Sequence, residues 1–225
     1  MAVIHKTTMT PGKLELLASW LPGRPWYAGS ASAPAPEKAG GFRLDDPEGA
    51  VGIEFMVVND ASGERPVTHL VPLTYRDKPL EGAAEEALVG TSEHGVLGKR
   101  WVYDGAHDPV LQERLLAFLA GRAEPQAQSV SDTPDPSVVA HGTGGGLPAG
   151  LTATGVTDGA DGTGIAVRSA DGGELVLRLV RLLEGEQTGP ETDPATTRAY
   201  GTADWNLPAG GRARGLFAVL RDAAR

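Results

Sequence analysis

The 225 residues carry 29 acidic against 20 basic side chains, a net charge of -9, and no cysteine. Acidity on that scale excludes a general polyanion binder, whose affinity comes from neutralised phosphates and released counterions; the missing cysteines exclude disulfides, thiolate metal sites and cysteine nucleophiles. The length suffices for one large domain or two small ones, while 31 glycines and 17 prolines assign part of it to turns and linker.

The N-terminus lacks the charged-then-apolar pattern of a signal peptide, and no apolar run reaches the roughly 20 residues that cross a bilayer. A soluble, cytoplasmic protein without a membrane partner is the expectation. Thr10 and Pro11 predict a helix with Thr10 as N-cap and Pro11 at N1, running to about Trp20. Leu14, Leu17, Ala18 and Leu21 then share one apolar face that needs a sheet to cover it. Leu21-Pro22-Gly23 ends the helix. Residues 29–40, mostly Ala, Ser, Pro, Lys and Glu, read as a flexible loop. Segments 41–44, 51–58 and 67–75 are rich in Val, Ile, Phe, Thr and Tyr and are separated by turn residues, which predicts an antiparallel meander. In the second of them Ile53, Phe55 and Val57 alternate with Glu54 and Met56, so one face is expected on the core and the other more exposed.

Residues 81–88 read as a short helix or a loop, and 90–103 as a bent strand pair broken at Gly95 and Gly98. Asp108 is expected to cap a second helix with Pro109 at N1, with Val110, Leu111, Leu115, Phe118 and Leu119 facing inward and an end near Gly121. Residues 123–150 have almost no large apolar side chains and read as a flexible linker between units 1–122 and 151–225. The second unit holds strand candidates at 151–156, 164–169, 174–183, 196–204 and 214–220, with 181–184 open to a helical reading. The fold class is α+β, with mainly antiparallel β-sheets and a few packed helices, the second half mostly antiparallel β.

Few motifs carry chemistry. His141-Gly142-Thr143-Gly144-Gly145-Gly146 and Asp161-Gly162-Thr163-Gly164 lack both the Lys-Ser/Thr ending of a P-loop and dinucleotide spacing, and read as flexible chain. His5, His69, His94, His107 and His141 form no His-x-x-x-His pair, so a metal site would need ligands from distant segments. Asp158-Gly159-Ala160-Asp161-Gly162 lacks the carboxylate pattern of a calcium loop and reads as a β-turn. Asp45 and Asp46 are adjacent and followed by Pro47, which fits a capping turn better than an acid–base pair. The C-terminal arginines Arg212, Arg214, Arg221 and Arg225 have no aromatic ladder between them and read as a solvated end. The one suggestive cluster is Glu93, His94, Trp101, Tyr103 and Asp104, a polar set with two aromatics that fits a concave binding site. No catalytic residue, metal ligand or cofactor is assigned.

A set of phrases in order carries a family resemblance: Lys13-Leu14-Glu15-Leu16-Leu17, Arg24-Pro25-Trp26-Tyr27, Gly41-Phe42-Arg43-Leu44-Asp45-Asp46-Pro47, Val51-Gly52-Ile53-Glu54, Val71-Pro72-Leu73-Thr74-Tyr75-Arg76, Pro79-Leu80-Glu81-Gly82, Gly90-Thr91-Ser92-Glu93-His94-Gly95-Val96-Leu97-Gly98 and Arg100-Trp101-Val102-Tyr103-Asp104. Over residues 1–121 the chain resembles the actinobacterial maltokinase N-terminal cap. The resemblance implies a curved antiparallel sheet with helices packed on it, placed in that family ahead of a kinase that phosphorylates maltose with ATP. Residues 174–184 are more faintly similar to the family's intermediate subdomain, with Arg178 at the position of the ATP-anchoring lysine.

The chain ends where a kinase C-lobe would begin, and it has neither a His-Gly-Asp catalytic loop nor an Asp-Phe metal motif. Phosphoryl transfer needs a positioned base, bound metal and anchored phosphates. The resemblance therefore implies a non-catalytic cap-like module, acting by protein–protein interaction in trehalose, maltose and glycogen (α-glucan) metabolism. The expected partner is an enzyme of that metabolism or a second copy of the chain, with no nucleic acid. The alternative is a sugar- or nucleotide-binding protein or enzyme with a pocket between the two halves.

Overall fold

The computed structural model describes residues 8–30, 33–143, 146–184, 193 and 195–223. His5, Gly144, Gly145 and Arg225 lie outside them. Two antiparallel sheets hold nearly half of these residues, and the elements run in order as follows. A two-residue strand β1 (Met9–Thr10) precedes helix α1 (Lys13–Trp20), and three long strands follow, β2 (Pro36–Leu44), β3 (Gly52–Asp60) and β4 (Val67–Arg76). A hairpin β5 (Leu88–His94) and β6 (Gly98–Asp104) leads into helix α2 (Pro109–Leu119). Then come β7 (Pro125–Ala127), β8 (Val139–Gly142), β9 (Thr152–Gly159), β10 (Gly162–Arg168), β11 (Glu174–Leu179), β12 (Leu182–Leu183), β13 (Thr197–Asn206) and β14 (Arg212–Asp222).

The first sheet has strand order β1-β5-β6-β4-β3-β2-β7, with β12 paired to the start of β4; the second has order β8-β13-β14-β11-β10-β9. The meander predicted at β2, β3 and β4 is present, as is the hairpin turning between His94 and Gly98. Register shifts at Lys38/Gly40 and Leu88/Gly90 mark β-bulges, which bend the strands that carry them. At the second bulge a Cβ on Gly90 would lie 2.7 Å from Leu16, so the missing side chain lets α1 settle against the sheet.

Helix α2 begins as expected: Asp108 accepts the Val110 N–H at 3.0 Å, and Pro109 occupies the first turn. Helix α1 begins two residues later than predicted. Thr10 is drawn into β1 opposite Glu93, and the start of the helix is held instead by Glu15, whose carboxylate accepts the Gly12 N–H at 2.6 Å. Residues 36–40, predicted as loop, form the first half of β2, because backbone pairing to residues 57–60 does not require apolar side chains. Residues 181–184 carry β12 rather than helix. Gly162-Thr163-Gly164, predicted as flexible chain, opens β10.

Both faces of the first sheet are covered, contrary to the half-exposed reading of β3. Ile53, Phe55 and Val57 join a core shared with α2 and the second sheet, while Met56 and Val58 pack with Leu17, Trp20, Leu21 and Trp26 from the α1 region. Alternation marks which side chains share a face, but it does not say whether the other face meets water or a further layer. Residues 123–150, expected as linker, contribute β7 to the first sheet and β8 to the second, with Val138 buried.

All four phenylalanines of the chain meet where the sheets face each other. Phe42 and Phe55 stack at 4.6 Å, and Phe217 lies edge-on to Phe42 at 5.0 Å and against Phe118 at 5.9 Å. Burial of this kind stabilises by about 25 cal/mol per Å² of apolar surface, with specific aromatic geometry adding to it. The layers are therefore α1, first sheet, and second sheet, with α2 packed into the shared core. Among the described residues no helix packs on the outer face of the second sheet.

Candidate functional site

Arg181, between β11 and β12, has no exposed surface, and an isolated charge at such depth is prohibitive unless it is paired and hydrogen-bonded. Its Nη2 donates to both oxygens of Asp104, at 2.8 and 2.6 Å, and its Nε donates to Thr163 Oγ1 at 2.8 Å. The guanidinium lies 4.6 Å from the Trp26 ring, a cation–π arrangement. Its carbonyl accepts the Leu70 N–H at 2.9 Å, so β4 fixes the backbone from which the side chain departs.

From Thr163 the network continues. The Thr163 hydroxyl donates to Asp158, whose other oxygen sits 3.1 Å from His107 Nε2. Burial alone would raise the Asp158 carboxyl, but His107, Thr163 and Arg181 outweigh it and hold it at about 2. The hydrogen bond to Asp158 holds His107 above its ordinary value against a partial desolvation that works the other way. Asp104 caps the short 3-10 turn after β6 and His107 is its last residue, Asp158 and Thr163 come from β9 and β10, and Arg181 precedes β12. The chain is thus clasped across its two halves by buried charges.

Asp104, His107 and Asp158 offer ligand atoms within 4.8 Å of one another. The Asp104 carboxylate is already engaged by Arg181 and by the Ala106 N–H, and a divalent cation would sit against a buried guanidinium. The donor set fits an internal ion-pair network better than a metal centre.

A second buried carboxylate, Glu54 on β3, accepts from Lys13 Nζ at 2.6 Å, Tyr75 Oη at 2.5 Å and Gln128 Nε2 at 2.8 Å. Burial pushes its carboxyl up, and these three donors bring it below the ordinary range. His69 on β4 is enclosed by the Trp26 and Tyr27 rings at 5.9 and 5.3 Å. Neither of its ring nitrogens has a hydrogen-bond partner among the described residues, and burial pushes its pKa down to about 4.

The five residues predicted as a binding cluster do not converge on one cavity. Glu93 is exposed on β5 opposite Lys99, and His94 holds the hairpin turn by accepting the Val96 and Leu97 N–H groups on Nδ1. Trp101 is half-buried beneath Lys99, whose Nζ is 4.9 Å from the ring. Tyr103 is buried, its hydroxyl accepting the Leu80 N–H at 3.0 Å, and Asp104 belongs to the internal network. A groove of about 520 Å³ opens between α2 and the start of β9, lined by Gln112, Glu113, Arg114, Arg122 and Thr152 among others and by none of those five.

Asp46 caps its own turn through the Glu48, Ala50 and Val51 N–H groups, as expected. Arg178, at the position of the family's nucleotide-anchoring lysine, donates to the Asp161 carbonyl at 2.6 Å on the outer face of β11. No sequence pattern announced Arg181, His107 or Asp158 as a set; an arginine flanked by apolar residues in Leu179-Val180-Arg181-Leu182-Leu183 was the available signal.

Fold and site together define an α+β module of two packed antiparallel sheets whose buried charges serve one another. Residues 20–108 match the family model of the maltokinase N-terminal cap domain, which supports a maltokinase cap-like domain in this part of the chain. The match runs from the end of α1 to the N-cap of α2, shorter at both ends than the resemblance seen in the sequence. No curated protein matches the chain. No helix among the described residues is long and apolar enough to cross a membrane.

Proposed function

We propose that the chain works by association rather than catalysis, as a cap-like module that docks on an enzyme of α-glucan metabolism. The observation that carries this reading is the cap-domain match over residues 20–108, in a sequence without the His-Gly-Asp and Asp-Phe motifs of a kinase. Support comes from the way the interior charges are used. Asp104, Arg181, Asp158 and Glu54 are spent on each other and on neighbouring side chains, a use that stiffens a module.

The test is binding of the purified chain to a panel of purified maltose, trehalose and glycogen enzymes, read by biolayer interferometry. Saturable binding to at least one member is expected; none at micromolar concentration overturns the assignment. A second reading, a small-molecule binder, is favoured by the groove between α2 and β9. Calorimetric titration with maltose, trehalose, maltooligosaccharides and Mg-ATP separates the two, since heat from any of them supports the second reading and silence removes it.

A further inference from the structure

An antiparallel sheet commonly leaves one face in water, so the open face of the second sheet is not by itself a site. Its chemistry departs from the rest of the molecule. The register places Arg178, Val219, Tyr200 and His141 in one row across β11, β14, β13 and β8. Val176 and Arg221 form the neighbouring row on one side, and Leu216 with Thr202 the row on the other. Arg168 and the exposed Arg212 and Arg214 stand at its margins.

Six arginines on or beside this face, Arg168, Arg178, Arg198, Arg212, Arg214 and Arg221, oppose three carboxylates, Glu174, Asp204 and Asp222, in a chain whose overall charge is -9, and Arg198 is held by Asp222 in two bonds at 2.8 and 2.6 Å. Arg212 and Arg214 share the single Asp204 carboxylate at 3.5 and 3.0 Å, and Arg168 reaches Glu174 only at 3.7 Å. Arg178 and Arg221 have no ion-pair partner among the described residues. The formal charges of these side chains sum to a positive value on an otherwise acidic molecule.

The centre of the face is apolar and aromatic. Tyr200 stacks on His141 at 4.6 Å and 18°, and His141 Nε2 is 3.1 Å from Thr202 Oγ1, which fixes the ring pair. Val176 and Val219 are half-buried and belong to neither core cluster. Tyrosine and arginine around a small apolar centre are the residue types that dominate protein interfaces. Arginine's planar fork matches a carboxylate in two bonds, whereas a lysine would offer a point charge.

We propose that this outer face, centred on Arg178, Val219 and Tyr200, is a docking surface for an acidic polypeptide segment that carries apolar side chains among its carboxylates. The proposal rests on the reading that the chain acts by association, and charge complementarity selects the occupant: Arg178 and Arg221, which have no ion-pair partner among the described residues, meet the carboxylates first, the weakly paired arginines at the margins add to the attraction, and Tyr200, Val176 and Val219 receive an apolar anchor. Association is expected to be salt-dependent, because the contributing charges are exposed.

The probe is a fluorescein-labelled synthetic peptide of Glu residues interrupted by Leu and Phe, read by fluorescence anisotropy against the full chain. Arg178→Glu/Arg221→Glu and, separately, Tyr200→Ala are each expected to weaken binding by about tenfold or more. Arg65→Glu/Lys78→Glu, the same charge change at exposed positions elsewhere, is expected to leave it unchanged. Circular dichroism confirms that each variant is folded.

Equal weakening by both double variants, absence of binding, or tighter binding of a single-stranded oligonucleotide of equal charge overturns the proposal. So does a dimer of the chain alone, seen by sedimentation equilibrium, that Arg178→Glu/Arg221→Glu dissociates. An enzyme from the α-glucan panel that binds the Arg178→Glu/Arg221→Glu variant as well as the wild type removes this surface and leaves the association reading. Peptide binding without any enzyme binding does the reverse.

Discussion

Replacing Arg181 by methionine keeps most of the buried stem and deletes the guanidinium. Asp104, whose side chain is 1% exposed, then retains, among the described residues, only the Ala106 N–H at 3.1 Å, and Thr163 loses a donor. Removing one partner of a buried ion pair strands the other charge, at a cost of about 3–5 kcal/mol. In a protein of this size about 1 kcal/mol moves the melting temperature by roughly 2–4 °C, so a fall of about 6–20 °C is expected. The double variant Arg181→Met/Asp104→Leu removes both charges and recovers most of the loss, because the desolvation of the pair disappears with it. Urea and thermal unfolding of the four members of this cycle, followed by circular dichroism, measure the coupling directly. A single variant within about 1 kcal/mol of wild type, or a double variant no better than Arg181→Met alone, would refute the reasoning.

Three other expectations follow from the same interior. His107 is held above its ordinary 6.5 by its hydrogen bond to Asp158, so its contribution is complete below about pH 6.5 and is lost as pH rises through its folded value. Asp158, held at about 2, contributes above about pH 4 and loses that contribution as pH falls toward 2. A melting-temperature series for His107→Gln should therefore show a smaller loss between pH 6 and 8 than wild type, and parallel curves would exclude the clasp as its source. His69 works in the opposite sense: burial keeps it neutral in the folded state down to about 4 while the unfolded chain takes up a proton below about 6.5, so stability falls with pH across that window, by roughly 3 kcal/mol. His69→Phe should abolish that fall, and proton-carbon NMR should show the wild-type ring unprotonated at pH 5. Gly162, at φ 120°, would place a Cβ 2.6 Å from the Leu179 carbonyl oxygen, so Gly162→Ala is expected to destabilise by about 2 kcal/mol or more, read from the urea midpoint.

Local signals were strong where residue chemistry acts within one turn or one strand. Asp108-Pro109 announced α2 because a cap and a missing N–H act at the helix start itself, and Gly95 and Gly98 marked the break between β5 and β6 for the same kind of reason. Thr10 misled because its cap role was displaced by pairing with Glu93, far along the chain. Residues 123–150 looked like linker because composition registers side-chain burial, whereas β7 and β8 are held chiefly by backbone hydrogen bonds to strands already in place. Glu93, His94, Trp101, Tyr103 and Asp104 are close in sequence, but strand alternation and the hairpin turn send them to separate environments.

The sequence by itself determined the antiparallel meander, the two helices, the α+β class and the resemblance to the cap domain, since periodicity, caps and ordered phrases are properties of neighbouring residues. Only the tertiary structure decided that the two halves share one core through Phe42, Phe55, Phe118 and Phe217, and that Arg181 meets Asp104 across 77 positions of chain. Which charges are buried together, and which sheet face is left open, depends on how layers stack. That stacking is set by the summed burial of many distant side chains, and no local window of residues contains it.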